Sequence, residues 1–153
     1  MKCTELNQME RPAASSARPE KNKGVIHLPA GLLGFEQARN YILLGSAEEA
    51  PFMWLQMTDE PSYSFLVVEP CRVIEDYKPD LADEDVEFLG LNNPEDALLF
   101  NIATLHADGS VTANLKGPIV INRYTLVGKQ VIPRNVSDYS LQHALATTTV
   151  ETN

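Results

Sequence analysis

Residue types that do chemistry are sparse in this chain of 153 residues. His27, His106 and His143 stand in separate segments without an HExxH spacing, and Cys3 and Cys71 form no CxxC pair. Zinc sites draw their ligands from such closely spaced groups, so no metal is expected. Gly31-Leu32-Leu33-Gly34 lacks the Lys-Ser/Thr that completes a phosphate loop, and no cofactor is expected. Cys71 follows Glu69-Pro70 with no base placed beside it, which reads as a small packed residue with a reduced thiol. Carboxylate pairs occur at Glu48-Glu49, Asp59-Glu60, Glu75-Asp76, Asp83-Glu84-Asp85 and Glu95-Asp96. Acid/base catalysis needs unequal burial to separate two pKa values, whereas these lie in polar, turn-like stretches. One cluster is unusual in density: Glu75, Asp76, Asp80, Asp83, Glu84, Asp85 and Glu87 place seven acids in thirteen residues. Their mutual repulsion is relieved when a cationic partner docks, with a solvated face as the bland alternative.

The total charge points the same way. Twelve basic and 21 acidic side chains give a net −9, but residues 1–24 hold five basic and three acidic groups. Residues 25–153 therefore carry seven basic against eighteen acidic groups, about −11. Such a body does not neutralise phosphates, so direct nucleic-acid binding is not expected. No apolar run approaches the roughly 18 residues that span a bilayer, and the N-terminus has no signal-type apolar region. A cytoplasmic protein without a membrane partner is expected.

The elements that position these residues read as short strands. Residues 1–23 have the composition of a disordered extension and 146–153 of a frayed tail, leaving a domain over 24–145. Strands are expected at Val25–Leu28, Tyr41–Leu44, Phe52–Met57, Tyr63–Val68 and Ala97–Leu105, and Asp108-Gly109 closes a hairpin onto Val111–Asn114. A short helix near residues 83–89, capped by Asp83 and stopped by Gly90, is the one helix expected. Lys116-Gly117-Pro118 marks a bend before the apolar run Ile119-Val120-Ile121, and a further strand is expected at Gln130-Val131-Ile132. Asn114 and Gln130, polar beside apolar strands, are expected to bond backbone.

LPAGLLGFEQARNYILL (28–44), SFLVVEP (64–70), the acidic stretch with Asp76-Tyr77, and NLKGPIVIN followed by GKQVI closely resemble the flagellar assembly factor family, FliW. The resemblance is collinear over about residues 24–145. It departs at Leu28, where an aromatic is usual, at Gly117, where Ala is common, and in the N-terminal extension. It implies a mostly β fold, a small closed antiparallel β-barrel-like domain, monomeric and non-enzymatic. It also implies two partners: flagellin, and the basic translational regulator CsrA, which represses flagellin mRNA and is antagonised by partner switching. Charge then makes Glu75, Asp76, Tyr77, Asp83, Glu84, Asp85 and Glu87 the CsrA-binding candidates, with Tyr77 as an amphipathic anchor. Phe35, Tyr41 and Phe52 are the candidate lining of a groove for an amphipathic flagellin helix. The alternatives are a β-barrel enzyme or small-ligand protein using His27, His106 or Cys71, and a module for some other basic protein.

Overall fold

The computed structural model describes residues 24–45, 48–60 and 62–145, so the expected extension and frayed tail lie outside the described residues. Five strands run as an antiparallel meander: β1 (Val25–His27), β2 (Asn40–Leu44), β3 (Phe52–Met57), β4 (Ser64–Val68) and β5 (Ala97–Leu105). Period-two alternation decides their faces. In β3, Met53, Leu55 and Met57 point inward, whereas Trp54 is exposed. The inward residues join Ile26, Leu28, Tyr41, Val67, Leu98, Phe100, Ile119 and Ile121 in the main core.

β5 is apolar without alternation because both its faces are covered. Leu98 and Phe100 enter the main core, whereas Ala97 and Leu99 pack outward with Leu89, Val120 and Val131. That outer cover is supplied by residues 69–96, inserted between β4 and β5 and containing α1 (Asp83–Leu89). Asp83 is the first helical residue rather than the cap; Ala82 holds the cap position without a side-chain bond. Gly90 ends the helix in the left-handed region (φ 69°), and Leu91 N–H donates back to the Val86 carbonyl, as a glycine stop requires.

β6 (Val111–Ala113) and β7 (Ile119–Asn122) line the same edge of β5 in succession, and the Lys-Gly-Pro bend separates them. Ala113 pairs with Ala103 and Ile119 with Phe100, so the five residues 114–118 lie opposite only residues 101–102, an irregular bulge larger than the usual two-against-one. The expected backbone bonds are present there. Asn114 Oδ1 accepts from Lys116 N–H (2.9 Å); Gln130 donates to the Gly117 carbonyl (3.0 Å) and accepts from Leu33 N–H (2.9 Å). β8 (Gly128–Gln130) pairs with β7 and starts earlier than expected; Val131 is core, bonded to the Pro118 carbonyl. β9 (His143–Ala144) pairs with β6.

The expectation of a closed barrel is corrected. Among the described residues no ladder joins β1 to β8; the sheet ends meet at one isolated parallel bridge, His27 to Val127, with His27 N–H donating to the Leu126 carbonyl. β1 spends its ladder on β2, and its other edge gains only that single bridge. The fold is a mostly β, antiparallel, curled but open sheet with one helix.

Gly31 fixes the turn after β1. At φ +67°, an added Cβ would lie 2.6 Å from the Phe35 carbonyl oxygen and the Glu36 Cα, both backbone atoms that cannot yield cheaply. Gly31→Ala should lower stability by about 2–3 kcal/mol, combining positive-φ strain with overpacking. Urea unfolding measures it; a loss under about 0.5 kcal/mol would mean that the loop relaxes freely.

Candidate functional site

The acidic insert forms one wall system around an apolar groove. Ala97 and Leu99 of β5, Val120 of β7 and Val86 of α1 line it together with Cys71, Tyr77, Lys78, Pro79, Leu81 and Leu91 of the insert. Its volume is about 490 Å³. A second recess of about 420 Å³ lies on the other side of Tyr77, between Glu75, Asp76, Asp138, Tyr139 and His143. Tyr77 is thus a partition shared by both.

Hydrogen bonds from the insert to the sheet explain why it holds its shape. The Tyr77 hydroxyl donates to the Leu115 carbonyl in the bulge (2.7 Å) and accepts from Asn101 Nδ2 (3.2 Å), which also donates to the Asn114 carbonyl (2.9 Å). Its ring meets Tyr139 edge-on, centroids 4.7 Å apart. Lys78 N–H donates to the Tyr139 hydroxyl, Asn135 Nδ2 to the Lys78 carbonyl, and Arg134 N–H to the Asp80 carbonyl. Asp76 turns the chain in the left-handed region (φ 61°), which a short polar side chain tolerates.

Burial pushes the Tyr77 phenol up to about 12, reinforced by the nearby Tyr139 and opposed by the Asn101 bond. Burial raises Tyr41 as well. An unfolded tyrosine ionises near 10, whereas folded Tyr77 stays neutral until about 12, so raising the pH through that window favours the unfolded chain. Tyr77→Phe should cost about 1–2 kcal/mol near neutrality, by leaving Asn101 and the Leu115 carbonyl short of a partner, and should make stability fall less steeply above pH 10. Denaturant titrations across that window test it; an unchanged alkaline slope would remove Tyr77 as the source.

The acidic candidates divide. Glu75, Asp76, Asp83, Glu84 and Glu87 are exposed and make no ion pair among the described residues. Asp80 pairs with Arg134 at 3.4 Å, both exposed. Asp85 is buried, with its carboxylate 2.5 Å from Lys129 Nζ; it belongs to the joint between α1 and β8 and is not a steering charge. Its burial follows from sharing the inward helix face with Leu89, four residues on. Tyr77, half-buried and doubly bonded, is likewise more partition than free anchor.

Phe35, Tyr41 and Phe52 are not brought together as a groove. Tyr41 is fully buried in the main core, because its place on β2 points it inward opposite Met57. Phe52 packs on the outer face against a second core cluster, and Phe35 is partly exposed against the edges of Tyr63 and Phe65. The apolar surface that does form is an outward row in register across three strands, Leu44, Trp54 and Leu66, continuous with Phe52. Leu44 and Trp54 are exposed, as is Phe88 on α1, with Lys129 Nζ 5.6 Å from its ring centre. The strand alternation around Trp54 was the available signal for that row.

His27, His106 and Cys71 are not assembled either. His27 bonds Asn40 (3.0 Å), His106 bonds Thr112 (2.9 Å), and the groove that Cys71 lines contains neither histidine. The reduced thiol expected at Cys71 is corrected: Cys71 is disulfide-bonded. No group of three or more potential metal ligands occurs among the described residues.

The model of the FliW protein family matches residues 13–145. The chain belongs to the FliW family. Flagellar assembly factor FliW of Leptospira biflexa serovar Patoc (strain Patoc 1 / Ames) is 40% identical over 116 residues, covering 74% of this chain and 76% of that protein. The protein of the same name from Leptospira interrogans serogroup Icterohaemorrhagiae serovar Lai (strain 56601) is 36% identical over 129 residues, covering 83% and 86%. A crystal structure of the flagellar assembly factor FliW superposes with a TM-score of 0.70 at 32% identity, covering 80% of this chain and 84% of that one. The FliW match begins at residue 13, ahead of the domain start expected at residue 24. No helix among the described residues is long and apolar enough to cross a membrane.

Proposed function

We propose that this FliW-family chain is a cytoplasmic, non-enzymatic flagellar assembly factor that binds flagellin and, when flagellin is exported, sequesters CsrA and relieves repression of flagellin translation. What supports the reading is a set of exposed acids with no ion pair among the described residues: Glu75 and Asp76 line the second recess, and Asp83, Glu84 and Glu87 lie on α1, whose Val86 lines the apolar groove. A basic RNA-binding protein finds there both steering charge and a desolvated patch, and the same charge repels the RNA it would otherwise hold.

The flagellin helix is assigned to the outward row of Leu44, Trp54, Leu66 and Phe52, which supplies an apolar strip for one face of an amphipathic helix. Trp54 is the chain's only tryptophan and is 41% exposed, so its fluorescence reports directly on that face. Calorimetry against purified CsrA and flagellin, separately and in competition, tests the partners. A flagellin terminal peptide should shift Trp54 emission to the blue, and Trp54→Asp should weaken its binding by about tenfold or more while leaving CsrA binding intact. No heat with either protein at micromolar concentrations sinks the functional reading; flagellin binding without a Trp54 response sinks only the assignment of its face.

A further inference from the structure

We propose that the outward row and the groove are coupled sites: a partner seated on either one weakens binding at the other, and Tyr77 carries the effect. Among the described residues Tyr77 is the one side chain that packs on both outer clusters, the one that includes Phe52 and Leu66 and the one beneath the groove. It also lines both the groove and the second recess. A continuous path joins it to the row. Phe52 pairs with Val68 and Val68 with Asn101, so three outward side chains stand side by side across β3, β4 and β5, and Asn101 Nδ2 holds the Tyr77 hydroxyl at 3.2 Å.

Coupling needs an element with two arrangements, and the seat of Tyr77 supplies it. Seated, the hydroxyl donates to the Leu115 carbonyl and accepts from Asn101, and the ring meets Tyr139 edge-on. The seat is imperfect: Asn101 Oδ1 is buried without a hydrogen-bond partner among the described residues, a deficit that offsets part of what the seated bonds contribute. Lifting the ring widens the groove at the expense of the recess behind it. The sign follows from that geometry. A helix pressed on Phe52 and Leu66 packs Val68 and Asn101 more firmly and favours the seated ring, whereas a partner that inserts side chains into the groove favours the lifted one. Each opposes the other, by the same factor in both directions.

That the two occupants are flagellin and CsrA rests on the function proposed above; the coupling of the two faces does not. Overlapping contacts would also make two partners exclude each other, but Phe52 and Leu66 lie outside the groove lining. Coupling through Tyr77 is told apart by its dependence on one hydroxyl.

The first test uses the full chain without a partner. Phe52→Leu and Leu81→Ala fall in different clusters, and separated sites that share no partner combine additively in free energy. In urea unfolding, the double variant should depart by about fivefold from the product of the single effects on the unfolding constant, and by less than about twofold when Tyr77→Phe is also present. A simple product without Tyr77→Phe overturns the proposal. The second test is calorimetry with CsrA, with and without a saturating flagellin terminal peptide. The peptide should weaken CsrA binding by about tenfold in the native chain; Tyr77→Phe should bind CsrA more tightly than the native chain and reduce the peptide's effect to less than about twofold. Tyr139→Phe releases Lys78 N–H beside the seat without touching the groove lining, and should act the same way where Tyr77→Phe fails to fold. Exclusion that is equally strong in the native chain and both variants, or weaker CsrA binding by both, overturns the proposal. If the unfolding constants show coupling but neither partner binds, or the peptide leaves CsrA binding unchanged, the coupling stands and the assignment of occupants falls.

Discussion

Replacing Asp83, Glu84 and Glu87 together by lysine should weaken CsrA binding by about ten- to a hundredfold at low salt and flatten its salt dependence. Each exposed charge contributes little alone, about 0.2–1 kcal/mol for a surface pair. Reversal does more than delete attraction, because three new cations then face a basic partner and like charges across an interface repel. Together these give about 1.4–2.8 kcal/mol, which is the stated range in affinity. Asp85 is left out, since its carboxylate is buried against Lys129 and reversing it would disturb the fold instead. The three substitutions also put cations in and next to the first turn of α1, where acids are favoured, at a cost of about 0.3–1 kcal/mol each near the helix start. A neutral control, Asp83→Asn with Glu84→Gln and Glu87→Gln, removes attraction without adding repulsion and should fall midway. Isothermal titration at low and moderate salt reads all three proteins. Equal affinity of the reversed and native chains at low salt would show that this rim does not meet CsrA.

What could be read from the sequence was local. β3 and β5 announce themselves as apolar runs bounded by turn residues, α1 by acids before and Gly90 after, and the bulge by Lys116-Gly117-Pro118 between two apolar stretches. The features that misled were all decided by contacts between distant segments. Whether the sheet closes depends on how β1 meets Val127, about a hundred residues away in sequence, and only one bridge forms. Tyr41 and Phe52 look alike as strand aromatics, yet their pairing register sends one into the core and the other outward. Asp85 is indistinguishable from Asp83 by composition, and only the phase set by Leu89 and the arrival of Lys129 turns it inward. The groove itself is invisible in sequence because its lining is gathered from the insert around Cys71, Tyr77 and Val86, from β5 and from Val120 of β7.

The joint between Asp85 and Lys129 should prove the most sensitive single contact in the acidic region. The carboxylate is only 9% exposed and sits over the outer core, whereas the ammonium is 33% exposed and also lies near the Phe88 ring. Lys129→Ala strands a buried carboxylate; removing one partner of a buried pair costs about 3–5 kcal/mol, and water reaching the half-open lysine side places the expectation at about 3. Because the pair ties α1 to β8, much of the loss should appear locally, as faster amide exchange over residues 83–89 and weaker partner binding at the wall that α1 forms. Asp85→Leu combined with Lys129→Met removes both charges and keeps the volume, and paired replacements of this kind are often neutral or stabilising. That double variant should recover the urea midpoint, the exchange protection of α1 and the binding lost in Lys129→Ala. Recovery of stability without recovery of binding would separate the two roles, making Lys129 or Asp85 a contact to the partner. A Lys129→Ala variant within about 0.5 kcal/mol of the native chain would instead show that α1 is held by Leu89 and its apolar neighbours alone, which bury enough surface for about 1.5–3 kcal/mol per side chain.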